Sequence, residues 1–280
     1  MKWWYYIIIY LVSQLVAGLA GALLTTLLHL DSTIVMVVSL VLAQLLAIGL
    51  VLVFKPAWLH VADDRNRLTV LALLMALPII VLVNLMMEIL PEAPNILDES
   101  FSQIIFNPIG MLTIAVLGPV SEELLFRAGV LGGLLKRDAE RNAERSTFNV
   151  QRSTFNVQSS TFKVQSSTFK VQSSTFKVRP WRAIMWSALL FSVAHLNPAQ
   201  MPVAFLLGIL LGWAYWRTGS LVAPCLIHIL NNGLAVVLAW IYNSPDVTLS
   251  QVLGSEVGVA VAVGVSVVWL GLCWHRIAQA

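Results

Sequence analysis

The sequence predicts an all-α, polytopic membrane protein of about eight transmembrane helices enclosing a buried polar site, and three observations carry this. Of its 280 residues, 58% are hydrophobic and 11% charged, too little polar surface to cover a soluble globule of this length. The apolar residues fall into eight stretches, 3–28, 33–54, 68–90, 108–135, 181–196, 201–216, 221–241 and 252–274, most of them close to the ~20 residues that a spanning helix needs. The basic residues alternate along the chain: Lys2, then Lys55, Arg65 and Arg67, then ten between Lys136 and Arg182, then Arg217 and Arg276, with none in the intervening segments around Asp31, 91–107, 197–200 and 243–250. The positive-inside rule reads that alternation as eight spans with both termini cytoplasmic, in an integral cell membrane protein. Trp3, Trp4, Trp58, Trp181, Trp216 and Trp274 lie near the same borders, as an aromatic belt would.

The first stretch has Lys2 before an apolar run, as a signal peptide does. It exceeds the ~7–15 residues of an h-region and reads as a retained helix. The first three stretches are polar almost only at their ends, so residues 1–107 read as scaffold. In the acidic segment after residue 90, Ile96, Leu97, Phe101, Ile104 and Ile105 recur at helical spacings, which fits a short amphipathic helix at the interface or equally a loop.

The fourth stretch carries Glu122, Glu123 and Arg127. Each ionisable side chain near the centre of a spanning helix costs about 2.5–3.5 kcal/mol, so all three need partners. Glu123 and Arg127, four apart, share a face in the orientation that favours an ion pair, while Glu122 is rotated by about 100° and stays available. Pro119 is expected to kink the helix just before them, freeing a carbonyl that needs a partner.

Residues 145–179 are five seven-residue units, two of RSTFNVQ and three of SSTFK followed by VQ, VQ and VR. Phe and Val two apart fit no coiled-coil seam, and an odd period swaps faces in a strand. The segment reads as a duplicated, flexible cytoplasmic insert without a catalytic role, interrupting a core at 108–242. The fifth stretch ends with Phe191 and His195. The sixth carries Gly208 and Gly212, a small-xxx-small pair suited to close packing. The seventh carries His228 and Asn232 on one face. The eighth, within 243–280, reads as scaffold. Cys225 and Cys273 are expected to stay thiols.

Glu122, His195, His228 and Asn232 lie 11 to 15 residues from the basic borders of their own helices. At ~1.5 Å per residue all four reach one level, roughly 16–23 Å deep. Glu122 and His195 are suited to hold and deprotonate a water, and His228 and Asn232 to donate hydrogen bonds to a developing oxyanion. Glu123, Arg127 and Phe191 read as supporting residues.

The series Glu122-Glu123-x-x-x-Arg127, Phe191-x-x-x-His195 and His228-x-x-x-Asn232 resembles the three motifs of the CAAX-protease and bacteriocin-processing family, also called CPBP or Abi. The likeness covers about 108–240, and the repeats at 145–179 depart from it. The resemblance implies an intramembrane endopeptidase, cleaving after a prenylated cysteine in eukaryotes and processing other membrane-associated peptides in bacteria. The expected partners are a membrane peptide or protein substrate and the lipid bilayer. No nucleic-acid partner is expected, because topology and anionic lipids account for the basic loop. Glu122, His195 and His228 are competent ligands for a divalent metal such as zinc, but no His-Glu-x-x-His helix is present, and a metal-free glutamate mechanism is slightly favoured. Two other classes fit the same polar centre: a small proton-coupled transporter, and a non-catalytic membrane partner such as an immunity or assembly factor.

Overall fold

The computed structural model describes residues 2–56, 66–89, 93–95, 98–142 and 180–278. The seven-residue repeats at 145–179 lie outside them. The described residues form helices and connections, with no strand among them. In chain order the helices are α1 (Trp4–Leu28), α2 (Ser32–Phe54), α3 (Asn66–Met87), α4 (Asp98–Ile105), α5 (Pro108–Asn142), α6 (Pro180–Ala194), α7 (Met201–Thr218), α8 (Val222–Tyr242), α9 (Leu249–Leu253) and α10 (Glu256–Ala278).

Each of the eight apolar stretches becomes a helix. By length and composition α1, α2, α3, α5, α8 and α10 are able to cross a membrane, whereas α6 has 15 residues and α7 has 18. Six spans therefore meet that criterion where the sequence suggested about eight. The outward surface is apolar, with Leu15, Val53, Ile109, Val237 and Val257 all exposed, so the chain is a polytopic all-α membrane protein whose solvent is lipid. The acidic segment before α5 does fold into a helix, α4, and Ile105 at its end packs on Val236 and Ala239 of α8.

Local chemistry sets the helix boundaries. The Asp31 carboxylate accepts from the Thr33 and Ile34 amides and starts α2. Asn107 does the same for α5, with Pro108 following where a missing N–H costs nothing. Inside helices, proline leaves a carbonyl without its donor. At Pro119 the backbone answers with a π turn over Thr113–Leu117, in which the Gly118 amide reaches the Thr113 carbonyl; a second π segment follows at Leu124–Leu131. At Pro78 of α3 the carbonyl four residues back is that of Leu74, and the indole N–H of Trp269 on α10 donates to it at 2.9 Å. Lipid offers no substitute donor there.

Between helices in lipid, close packing replaces hydrophobic expulsion as the main attraction. The principal core joins Tyr6, Ile9, Ala47 and Val51 of α1 and α2 to Phe126 and Leu131 of α5 and to Ile184 and Phe191 of α6. Gly208 and Gly212 sit where α7 meets α6: a Cβ on Gly208 would lie 3.0 Å from the backbone of Ala188, and one on Gly212 would lie 3.1 Å from Ile184. Lys2, Lys136 and Arg137 line one cavity of about 510 Å³ with Trp3 and Trp4. The basic start of α1 and the basic end of α5 thus lie together, as the charge alternation requires.

Replacing Trp269 by Phe is expected to lower stability in detergent by about 1 kcal/mol, the worth of one hydrogen bond. In a Pro78→Ala background, where α3 regains its own donor, the same replacement should cost less, and a double-mutant cycle of thermal unfolding measures the difference. Equal costs in both backgrounds would show that Trp269 does not serve the Pro78 carbonyl.

Candidate active site

Between its two π segments, α5 presents Ser121, Glu122 and Glu123 inward. π turns shift a helix face by one residue and recur at functional sites. Glu123 is wholly buried and has a partner for each oxygen: Oε2 lies 3.0 Å from Arg127 Nε, and Oε1 accepts from His228 Nδ1 at 2.8 Å. His228, itself buried, turns its other nitrogen towards Glu122, with Nε2 3.7 Å from Glu122 Oε2. The imidazole is thus bracketed by both carboxylates, one at hydrogen-bond distance and one just beyond it. Glu122 is the partly open member, with 21% of its side chain exposed.

The expected pairing of Glu123 with Arg127 is present. The sequence does not reveal the third member, His228, which Glu123 also holds. The Arg127 guanidinium is buried, and its terminal nitrogens have no hydrogen-bond acceptor among the described residues. Its carbon lies 4.4 Å from the centre of the Phe191 ring, a cation–π contact that in a desolvated setting is worth ~2 kcal/mol. Phe191 also meets Phe126, His195 and His228 edge-on, at centroid distances of 5.4, 4.9 and 5.6 Å. One buried ring therefore seats the cation and both imidazoles.

His195 stands one residue past the end of α6 rather than inside it. Its Nδ1 lies 2.9 Å from the Phe191 carbonyl, and since a carbonyl only accepts, Nδ1 carries the proton and Nε2 of the neutral ring is an acceptor. The turn that carries it is braced. Leu196 adopts φ +52°, a left-handed conformation disfavoured for a branched side chain. The Asn197 amide donates to Asn95 at 2.8 Å, and the Ser192 hydroxyl donates to the Met201 carbonyl at 2.6 Å. Tyr10 of α1 donates to the carbonyl of Ala194 at 2.9 Å, immediately before His195.

Asn232 donates to the Ile114 carbonyl of the first π turn at 3.1 Å and accepts from Asn231 at 3.0 Å. That leaves one of its two N–H protons free of those bonds. Glu122, Phe191, His195, His228 and Asn232 all line one cavity of about 490 Å³, so the four candidate catalytic residues come together. Residues the sequence reading passed over line it too: Gln44, from α2, and Asn231. The Ser121 hydroxyl, next to Glu122, shares its one proton between the Gly118 carbonyl, at 2.9 Å, and the side-chain carbonyl of Gln44.

The metal expectation rests on Glu122, His195 and His228. Among the described residues no group of three or more His, Cys, Asp or Glu side chains converges as metal ligands, so these three do not form a ligand set in this arrangement. Cys225 and Cys273 are both free thiols.

Residues 104–234 match the family model described as type II CAAX prenyl endopeptidase Rce1-like. The match spans a little under half of the chain and contains every candidate catalytic residue, whereas Tyr10 and Gln44 lie before it. No curated protein and no solved structure matches the chain.

Removing one partner of a buried ion pair strands the other, at a typical cost of about 3–5 kcal/mol. Arg127→Met should therefore destabilise the protein by that order. Adding Glu123→Gln to it should restore part of the loss, because no uncompensated charge remains. Thermal unfolding of the single and double variants in one detergent checks this; additive losses would mean that the pair is not coupled.

Proposed function

We propose that this chain, whose residues 104–234 match the Rce1-like type II CAAX prenyl endopeptidase family model, is an intramembrane endopeptidase that hydrolyses a membrane-associated or lipidated peptide with water activated by Glu122 and His195. The observation that carries the reading is the buried chain Arg127–Glu123–His228, which leaves Glu122 as the accessible carboxylate in a cavity shared with His195.

In this reading a water sits between the Glu122 carboxylate and His195 Nε2. Both accept, so both of its protons are engaged and a lone pair is left to attack. Glu122 takes one proton as the water oxygen bonds to the scissile carbonyl carbon. The remaining N–H of Asn232 receives the oxyanion, an interaction worth about 3–4 kcal/mol in a water-excluded site. The C–N bond then breaks, and the proton collected by Glu122 passes to the leaving amine. His228 steadies that exchange, because its Nδ1 proton is fixed on Glu123 and its Nε2 faces Glu122. Donation from His228 to the oxyanion would need the doubly protonated ring, so Asn232 is assigned the larger part. Both termini are placed in the cytoplasm, on the charge alternation alone.

Cleavage of a library of apolar and lipid-anchored peptides by the purified protein in liposomes tests the assignment. Glu122→Gln and His195→Ala are each expected to lower turnover by roughly 10²–10⁴-fold, the usual contribution of a general base, with the protein still inserted and folded. A zinc chelator is expected to leave turnover unchanged. Equal cutting by wild type and variants would refute the assignment, and loss on chelation would replace the metal-free step.

A further inference from the structure

We infer that Gln44 is a substrate-binding residue, whose side-chain Nε2 donates a hydrogen bond to a backbone carbonyl of the peptide lying in the cavity. The inference rests on the protease reading and adds to it a contact from outside the family-matched segment. Gln44 is a polar residue in the middle of α2, among Ala43, Ala47 and Val51, and it is 6% exposed. With Leu40, one turn earlier, it forms the α2 wall of the cavity that contains Glu122 and His195.

An amide has two unlike ends, and their partners decide what each can do. The single proton of the Ser121 hydroxyl is shared between the Gly118 carbonyl, at 2.9 Å, and the carbonyl end of Gln44; that contact holds the Gln44 carbonyl against α5 and leaves the NH₂ end on the other side of the amide. That end has no hydrogen-bond acceptor among the described residues, yet it is not sealed within protein: the sealed side-chain atoms without a hydrogen bond are Thr69 Oγ1 and, although ion-paired with each other, Glu123 Oε2 and the Arg127 nitrogens. Gln44 therefore directs a donor into the cavity. Of the other polar residues in the wall, Thr113 has its hydroxyl proton engaged by the Ile109 carbonyl at 2.7 Å, and Asn231 spends one of its two N–H protons on Asn232.

A peptide drawn into a membrane-embedded cavity brings carbonyls that have lost water and need donors. Gln44 Nε2 meets that need and, being a donor only, cannot serve the peptide N–H groups. Ser121 adjoins Glu122 in sequence, so the bond that orients Gln44 also ties the contact to the reacting carboxylate.

The structural alternative is that Gln44 only links α2 to α5 through Ser121. Kinetics on the peptide that wild type cuts fastest separate the two. Gln44→Met is expected to raise KM about tenfold with kcat within about twofold, the pattern of a contact made equally in the ground and transition states. It should do so whether residue 121 is Ser or Ala, while Ser121→Ala alone should raise KM less than about threefold. If Gln44→Met has no effect in the Ser121→Ala background, or lowers kcat at unchanged KM, the substrate contact is overturned. Should Gln44→Met not fold, Gln44→Glu, which keeps an acceptor for Ser121 and loses the donor, is judged by the same KM criterion. Failure of the protease reading itself is visible separately, as a wild type that cuts nothing.

Discussion

The arrangement depends on a single buried carboxylate. Glu123 sits between Arg127 and His228 with no exposure to solvent, where an unpaired charge would be untenable. Satisfying it fixes the rotation of α5, the depth of α8 and the ring of His228 together. Phe191 completes the seat by offering its face to the guanidinium and its surroundings to two imidazoles. Because Glu123 absorbs the cation, Glu122 is left beside an imidazole and an open cavity. Two adjacent, identical side chains thus acquire different work from their environments alone.

The second organising feature is the division between rigid and turned backbone. α5 and α8 supply side chains from within helices, but His195 comes from the turn between α6 and α7, clamped by Ser192, Asn197 and the left-handed Leu196. α1 reaches that turn with the Tyr10 hydroxyl, and α2 reaches the cavity with Gln44. The helices ahead of the family-matched segment are therefore part of the site's wall as well as its support.

Much of this was legible in the sequence because it rests on signals that repeat. Hydrophobic runs located the helices to within a few residues, apart from the polar end of α5, which runs on to Asn142; the paired glycines of α7 marked its contact with α6, and counting from basic borders brought Glu122, His195, His228 and Asn232 to one level. What escaped has no periodic signature. Gln44 is one amide in a long apolar helix, and nothing local says which way it faces, so α2 was read as scaffold. The pairing of Glu123 with His228 is set by the contact of helices 105 residues apart, whereas the Arg127 pairing, four residues apart, could be read directly. Pro119 signalled a disturbance, but not that the chain would resolve it with a π turn instead of a kink. The count of eight spans treated every apolar run alike, whereas α6 and α7, with 15 and 18 residues, are not among the six helices that are long and apolar enough to cross a membrane.

The bond between Trp269 and the Leu74 carbonyl joins residues 195 apart, and this has a consequence for the order in which the chain is made. At translation rates of roughly 5–20 residues per second, α3 waits about 10–40 s before the helix bearing Trp269 emerges. During that interval its Pro78 turn holds a bare carbonyl in the bilayer. Insertion of α10 ends that exposure, so a nascent chain halted before Trp269 carries within the membrane a chemical mark of its own incompleteness.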